Sequence, residues 1–494
     1  MNYTVLAVVL IYEILSVVGI GLYLARVSKK GKDSFLLSNR DLPTAIVGVT
    51  LALTVLGSAH VFGLMEMAWD IGLASMWFSF AHVALICVIC LATGRWVRRL
   101  QITTVPELIE LLLGKRMRIA VACVMAGSIF GLLTMETQTI GIAFSAMTGW
   151  SIHQGMVLGA ALGILYVIIA GMKEIGWVNL LNTIVMYFGV VVAAIYLTIT
   201  LPGEGWKDVS EFHTLSQGQE FMVNIMGNPS IWFTFALANM IAVPFAQGIS
   251  QMALQTAMSA KSEKVVKKTL WIAAPINGMF GVFAVLVGLA AKSIPEFAVY
   301  GPKMGGPMLL VTLLPEWLVA WLLASFLGAL LSTFAMNAMA PATIFVKDIY
   351  GRLYEPNLRE EQTTKLARIM IVILGIVSVG VAFTLPQIIN GVTWLFGWLV
   401  PVFWVVIYAL FWKRSTKAAG ITLGVTWTIN LLWSFTALPK VLHLQFLQNA
   451  VVAFILAIVL GAALHFFMEG KPGFFKMEKE KQNQERQKLN EQTA

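Results

Sequence analysis

Apolar runs separated by short polar segments make up most of this chain. We count thirteen runs, at 3–26, 43–71, 74–94, 119–147, 152–172, 176–200, 231–257, 270–292, 317–346, 366–385, 388–412, 418–437 and 445–468. Each is about as long as the roughly 20 apolar residues that a helix needs to cross a bilayer. The pattern therefore predicts an all-α polytopic membrane protein with about thirteen transmembrane helices.

The composition supports this prediction. The 494 residues are 58% hydrophobic and 12% charged, whereas soluble domains carry about 25% charged residues. The basic residues are scattered over short loops, which argues against a nucleic-acid partner. We find no Ser-His-Asp arrangement, H-E-x-x-H motif or paired metal-ligand motif, so neither an enzyme nor a bound cofactor is expected. Cys87, Cys90 and Cys123 lie inside apolar runs and are expected to pack as small hydrophobic side chains.

Basic residues mark the orientation of the helices, because lysine and arginine accumulate on the cytoplasmic side. The first run is followed by Arg26 and further lysines, and it has no basic segment before it. We therefore expect a retained first helix rather than a signal peptide. The loops predicted to lie outside carry only Lys207, Lys292, Lys303 and Lys440 as basic residues. These features predict a multi-pass protein of the plasma (inner) membrane, with its N-terminus outside and its C-terminus cytoplasmic.

Two runs contain residues that interrupt a helix near its centre. The run 43–71 contains Gly57 and Ser58, and the run 231–257 contains Pro244 and Gly248. Proline removes a backbone donor, and broken helices in corresponding places of two halves point to a binding site in transporters. The second broken run comes five runs after the first, and an odd offset reverses its direction. This arrangement predicts a LeuT-type inverted five-plus-five repeat.

The predicted organisation follows from these breaks. It consists of an extra span with a cytoplasmic link at 1–42, a first five-helix repeat at 43–200, an outer loop at 201–230, a second repeat at 231–412, two C-terminal spans at 413–470 and a cytoplasmic tail at 471–494. The segment 104–115 is expected to form a short amphipathic helix on the cytoplasmic surface.

Two adjacent hydroxyls, Ser332 and Thr333, lie in the apolar stretch Leu327–Tyr350. Hydroxyl oxygens are hard ligands that suit a small hard cation such as sodium. Hydrogen bonds within their own helix, or packing between helices, are the alternative role.

The stretch Leu327–Tyr350 resembles the sodium:solute symporter family, which includes proline, sugar and sialic-acid carriers. The order and spacing of other segments carry the same resemblance, among them Thr104-Val105-Pro106-Glu107-Leu108, Ala170-Gly171-Met172-Lys173 with Trp177, and Leu410-Phe411-Trp412-Lys413-Arg414. The resemblance implies a sodium-coupled secondary active transporter that imports a small polar organic solute by alternating access. A proton-coupled carrier that uses Glu136 or a histidine, or a membrane sensor, is the alternative.

The resemblance also implies a sodium site between two helices. Its ligands would be the backbone carbonyls of Leu53, Leu56 and Ala329 and the hydroxyls of Ser332 and Thr333. At the positions where some relatives bind a second sodium, this chain has Asn179, Ala335 and Met336. We therefore expect a single sodium ion.

Polar residues within the apolar runs are candidates for solute binding, because a buried charge is expensive in a membrane. Glu136 lies deep in the run 119–147, and a structural hydrogen bond is its alternative role. The predicted substrate-binding residues are Ser58, His60, Ser79, His82, Glu136, Gln138, Gln247 and Trp394. The solute itself is expected to be an amino acid, a small carboxylate or a related metabolite.

The first testable prediction concerns the two termini. An odd number of spans places them on opposite sides of the membrane, with the N-terminus outside because of the basic-residue bias. A tag at the N-terminus should react with an impermeant label in intact cells, whereas a tag at the C-terminus should react only after permeabilisation. Labelling of both tags from the same side would contradict the count of thirteen.

Overall fold

The computed structural model describes residues 3–27, 34–169, 171–215, 219–384 and 388–477. Lys29, Lys30 and Lys32, Ala170 and most of the predicted tail lie outside the described residues. Within the described part, eleven helices are long and apolar enough to cross a membrane. One of them, Thr44–Arg99, contains a turn at Gly72–Met76, and Ile152–Ile168 is a shorter apolar helix. The predicted number of thirteen spans stays a prediction.

We number ten core helices in chain order. Core helix 1 comprises Thr44–Ser58, a π-helical turn Ala59–Gly63 and Leu64–Ile71, and core helix 2 comprises Trp77–Val88, Ile89–Thr93 and Gly94–Arg99. Core helices 3, 4 and 5 are Lys115–Thr148, Ile152–Ile168 and Met172–Thr200. Core helix 6 comprises Pro229–Ile231, Trp232–Ala236, Leu237–Gln247 and Gln251–Met258, and core helix 7 is Leu270–Ser293. Core helices 8, 9 and 10 are Glu316–Ile344 with Phe345–Tyr350, Glu360–Ala382, and Ile388–Ile407 with Tyr408–Trp412.

Three further apolar helices flank the core. The N-terminal helix comprises Tyr3–Ile14, Leu15–Gly19 and Ile20–Val27, and two C-terminal helices are Thr416–Phe435 and Asn449–Phe467. The N-terminal helix packs against core helix 8, and the C-terminal helices pack against core helix 10 and each other. Two short strands, Lys413–Arg414 and Lys471–Pro472, pair antiparallel.

The connecting segments contain more structure than the sequence pattern indicated. The predicted amphipathic helix forms at Val105–Leu113, but most of its residues are buried rather than lying on a surface. Helix Trp206–Leu215 occupies the segment predicted as an outer loop. The additional helix Gly301–Leu313 lies between core helices 7 and 8. The apolar pattern did not indicate these last two helices because they are short and mixed in polarity.

Core helix 8 is the central element of the fold. In its most apolar stretch 94% of the residues are buried, compared with 28% for core helix 9. It packs against core helices 1, 3, 4 and 5 as well as the N-terminal helix. Small residues allow these close approaches, as is common between helices in membranes. A methyl group added at Gly163 of core helix 4 would lie 2.3 Å from Phe334 Cδ1, and one added at Gly328 would lie 2.4 Å from Asn182 Nδ2.

Both predicted helix breaks are present. Gly57 has φ 41° and ψ −163°, a backbone conformation that is accessible mainly to glycine. In core helix 6 the part that contains Pro244 ends at Gln247, and the next part begins at Gln251, three residues after Gly248. Core helices 1 and 6 are thus each divided near the middle.

The packing around core helix 8 makes a testable prediction. The variant Gly163→Ala should lower thermal stability, because the added methyl group meets the fully buried ring of Phe334 and overpacking a core costs about 1–3 kcal/mol. Gly127→Ala is the matched control, since a methyl group at this exposed helical position meets nothing within 4 Å. Melting of both purified variants in the same detergent measures the difference. Equal melting temperatures would contradict close packing of core helices 4 and 8.

Candidate sodium and solute sites

The break in core helix 1 is held by a carboxylate from core helix 3. The backbone N–H of Ser58 lies 3.1 Å from Glu136 Oε1 and 3.0 Å from Oε2, and the Ser58 hydroxyl donates to Oε1 at 2.9 Å. The first N–H groups of a helix lack partners within the helix and favour negative charge. Glu136 therefore caps the second part of core helix 1. A side chain at position 57 would lie 2.6 Å from Glu136 Oε1, so glycine is also needed to admit the carboxylate.

Three of the five predicted sodium ligands, Leu53, Ala329 and Thr333, come together where core helices 1 and 8 meet, and Ser332 is the neighbour of Thr333 in the sequence of core helix 8. The Thr333 hydroxyl donates to the Leu53 carbonyl at 2.9 Å and to the Ala329 carbonyl at 3.2 Å. Ser332 Oγ is fully buried and has no hydrogen-bond partner among the described residues. A buried hydroxyl without a partner is costly. The oxygen set fits a small hard cation.

Leu56, the fifth predicted ligand, has a carbonyl that is already engaged. It accepts hydrogen bonds from the backbone N–H of Ala59 and from His60 Nδ1, the latter at 2.6 Å. A carbonyl oxygen has two lone pairs, so this oxygen would have to give up one of these hydrogen bonds to bind an ion. Leu56 as a sodium ligand stays a prediction.

The break in core helix 6 brings Gln247 to His82 of core helix 2. His82 Nδ1 lies 2.9 Å from the Phe78 carbonyl, which requires a proton on Nδ1, and Nε2 is then the acceptor. Gln247 Nε2 lies 3.3 Å from this Nε2 and donates to it. The amide oxygen Oε1 of Gln247 is buried without a partner among the described residues.

Between these groups lies a small cavity of ≈ 30 Å³. A cavity of this volume accommodates about one or two water molecules. The side chains around it come from core helices 1, 2, 3, 6, 8 and 10. They are Thr54, Val55, Leu56, Gly57, Ser58, Ala59, Phe78, His82, Leu132, Glu136, Gln247, Met252, Thr333, Asn337 and Val392.

Four of the eight predicted substrate residues line this cavity, namely Ser58, His82, Glu136 and Gln247. His60 lies behind the wall. Its ring is fully buried and contacts the ring of His82 with centroids 4.4 Å apart, and that of Phe78 at 5.1 Å. His60 is therefore placed to position His82 rather than to contact a solute.

The structure does not bring the remaining three predicted residues to the cavity. Trp394 turns towards the C-terminal helix Thr416–Phe435, where its indole N–H donates to the Ser434 hydroxyl at 2.8 Å. Ser79 lies against core helix 7, so close to Gly281 that a methyl group there would clash with its hydroxyl. Gln138 lies two residues beyond Glu136 on another side of core helix 3 and is only half-buried.

The predicted site lacked several residues that line the cavity. Asn337 lies one turn after Thr333 on core helix 8, and its Oδ1 is buried without a partner within the described part of the chain. Helical spacing from Thr333 could have identified it. Phe78, Leu132, Met252 and Val392 complete the apolar wall, and apolar residues of this kind give no signal in such a hydrophobic sequence.

Uncharged side chains occupy the three positions on which the expectation of a single sodium ion rests. Asn179 Oδ1 accepts a hydrogen bond from the Tyr166 hydroxyl at 2.8 Å. Ala335 and Met336 are fully buried and offer no side-chain oxygen. The expectation of a single sodium site stays a prediction.

Polar contacts close the end of the core that is predicted to be cytoplasmic. The Leu42 N–H donates to the Ser259 carbonyl, and the Lys261 N–H donates to the Leu42 carbonyl, both at 3.1 Å. On the neighbouring helix Val105–Leu113, Glu110 forms ion pairs with Arg118 and Arg352. Burial alone would raise the pKa of Glu110, but hydrogen bonds from the two arginines hold this pKa below its ordinary value.

Comparison with known proteins places the chain among transporters. The family model described as "Sodium:solute symporter family" matches residues 35–425. The chain is 25% identical to "Uncharacterized symporter YidK" of Escherichia coli (strain K12), over 92% of this chain and 85% of that protein. It is 22% identical to the "Sodium/glucose cotransporter" of Vibrio parahaemolyticus, over 90% of this chain and 87% of that protein. It is 21% identical to the "High-affinity proline transporter PutP" of Bacillus subtilis (strain 168), over 85% of this chain and 90% of that protein.

Solved structures share the fold. A substrate-bound, outward-open structure of a Na⁺-coupled sialic acid symporter superimposes with a TM-score of 0.79 at 19% identity, covering 95% of this chain and 99% of that chain. The structure of MhsT in complex with L-phenylalanine gives a TM-score of 0.54 at 16% identity, covering 85% of this chain and 98% of that chain. These likenesses confirm the predicted LeuT-type fold.

Proposed function

This chain belongs to the sodium:solute symporter family, and we propose that its sodium ion binds where core helices 1 and 8 meet and its solute binds in the adjacent cavity. The protein is a sodium-coupled secondary active transporter that imports a small solute across a membrane by alternating access. The proton-coupled alternative is not favoured. The proposed location is the inner membrane, with the N-terminus outside and the C-terminus cytoplasmic, as the basic-residue bias indicates.

The Ser332–Thr333 pair is the observation that carries the sodium site. The Thr333 hydroxyl donates to the carbonyls of both Leu53 and Ala329. The buried hydroxyl of Ser332, the preceding residue, is without a partner among the described residues. An ion at this point would accept the lone pairs of these oxygens and would join core helix 8 to the first part of core helix 1.

The solute cavity adjoins the same break, and residues from both sides of the break line it. Thr333 lines it and also belongs to the proposed ion site, while Ser58 begins the second part of core helix 1. Sodium binding would therefore fix the backbone conformation that presents Ser58 and Glu136 to a solute. Coupling of this kind is reciprocal, and each ligand raises the affinity for the other by the same factor.

Alternating access would require the contacts at the predicted cytoplasmic end to separate. The backbone pairing of Leu42 with Ser259 and Lys261 joins the beginning of core helix 1 to the end of core helix 6. These two helices carry the breaks, so their outer and inner parts could move separately. With these contacts in place, the described conformation would have its route to the cytoplasm closed.

The sodium site predicts a selective effect of Ser332→Ala. Loss of one oxygen ligand should raise the sodium concentration for half-maximal thermal stabilisation by roughly tenfold or more, since bonds to charged groups contribute about 1.5–3 kcal/mol. Potassium should replace sodium in the titration to hold ionic strength constant. Ser325→Ala is the matched control on the same helix, because the Ser325 hydroxyl donates to the Leu322 carbonyl at 2.8 Å. A sodium response that is equal in both variants would contradict the proposed site.

The single ion site predicts the sodium dependence of uptake. With Asn179, Ala335 and Met336 at the second-site positions, solute uptake into proteoliposomes should rise with external sodium with a Hill coefficient near one. The measurement requires saturating solute and a fixed membrane potential. A coefficient that clearly approaches two would reveal a further ion site.

A further inference from the structure

The position at which a LeuT-type carrier can bind an anionic group is occupied here by the protein itself. Half-helix N-termini at the midplane of such carriers point at anionic groups of the substrate. In this chain the amide and hydroxyl of Ser58 donate to the carboxylate of Glu136. A solute carboxylate would have to compete with Glu136 for these donors.

The charge of the cavity also disfavours an anion. Glu136 is the only carboxylate among the described residues that line it, and neither lysine nor arginine is among them. Both oxygens of Glu136 accept hydrogen bonds from Ser58, and these bonds stabilise the ionised form of the carboxylate. Burying an uncompensated second negative charge beside it would be costly.

Two amide oxygens beside the cavity are left free to accept hydrogen bonds, while the hydroxyls of Thr54 and Thr333 also line it. The contact with the Phe78 carbonyl places the proton of His82 on Nδ1, so His82 Nε2 is an acceptor. The amide N–H of Gln247 therefore faces His82 Nε2, and the amide oxygen of Gln247 is left to accept a hydrogen bond. Gln247 Oε1 and Asn337 Oδ1 are both buried without partners in the described part of the chain. Such a cavity is complementary to a ligand that donates several hydrogen bonds.

We propose that the solute is a small protonated amine whose ammonium group binds against Glu136, Gln247 and Asn337. An ammonium group offers three N–H donors and a positive charge, which match one carboxylate and two amide oxygens. The inference rests on the proposed function and narrows it, because it excludes the small carboxylates that the sequence left open. At the break of core helix 1, Glu136 accepts the hydrogen bonds of Ser58 that a carboxylate of the solute would otherwise accept.

Matched probes test the charge of the solute. Ethanolamine, glycolate and ethylene glycol share a two-carbon skeleton, and putrescine, succinate and 1,4-butanediol share a four-carbon skeleton. Each is added at about 10 mM to the purified full chain in saturating sodium, and thermal stabilisation is measured, because a ligand that binds only the folded state raises its stability. At least one amine should stabilise the protein, and the matched carboxylate and diol should not.

The variant Glu136→Gln removes the charge but keeps the shape of the side chain. Its affinity for the stabilising amine should fall roughly tenfold to hundredfold. Glu13→Gln is the matched control, because Glu13 is also a fully buried carboxylate but lies on the N-terminal helix and outside the cavity. Amine affinity in this control should equal that of the unmodified chain.

The inference would be overturned if a carboxylate stabilises the protein or if none of the amines does. It would also be overturned if Glu136→Gln binds the amine with unchanged affinity. If Glu136→Gln does not fold, the comparison of amines with carboxylates on the unmodified chain still decides. Sodium alone provides the separate test of the proposed function. Stabilisation by sodium together with binding of a carboxylate would reject the amine and keep the sodium-coupled carrier, whereas absence of any sodium effect would reject the carrier mechanism.

Discussion

The contact between Glu136 and Ser58 is the interaction on which the transport site depends. Three donor–acceptor contacts of 2.9–3.1 Å join core helix 3 to the point where core helix 1 is broken. Hydrogen bonds to charged groups contribute about 1.5–3 kcal/mol each, and broken backbone within a bilayer must find such partners. The left-handed conformation of Gly57 and the absence of its side chain make room for the carboxylate. Without this cap the break would expose unpaired amides.

The two proposed sites follow from this one break. On its first side the carbonyl of Leu53 faces core helix 8, where Thr333 and Ser332 supply hydroxyls. The cavity adjoins the break, and its polar lining includes Ser58, Glu136, Gln247 and Asn337. Core helix 8 can serve both sites because it is nearly enclosed by other helices. Small residues such as Gly163 and Gly328 let those helices approach its backbone closely.

The sequence predicted features that depend on local chemistry. The helix break at Gly57 follows from residue type, and the hydroxyl pair at Ser332 and Thr333 follows from composition within an apolar stretch. The sequence could not predict which side of core helix 3 Glu136 presents, because its partner Ser58 is 78 residues away and helix rotation depends on packing. For the same reason His60 lies behind the cavity wall, and Trp394 contacts the helix Thr416–Phe435 instead of the solute cavity. Apolar wall residues such as Val392 resemble every other apolar position in the chain.

A pair of high-resolution cryo-EM maps, one in sodium and one with sodium replaced by potassium, would locate the bound ion. We expect density for an ion in the sodium map between the carbonyls of Leu53 and Ala329 and the hydroxyls of Ser332 and Thr333. In the potassium map the Thr333 hydroxyl should donate to the Leu53 carbonyl, as it does in the structure described here. Identical maps at this point, or an ion bound elsewhere in the core, would contradict the assignment of the sodium site to the contact of core helices 1 and 8.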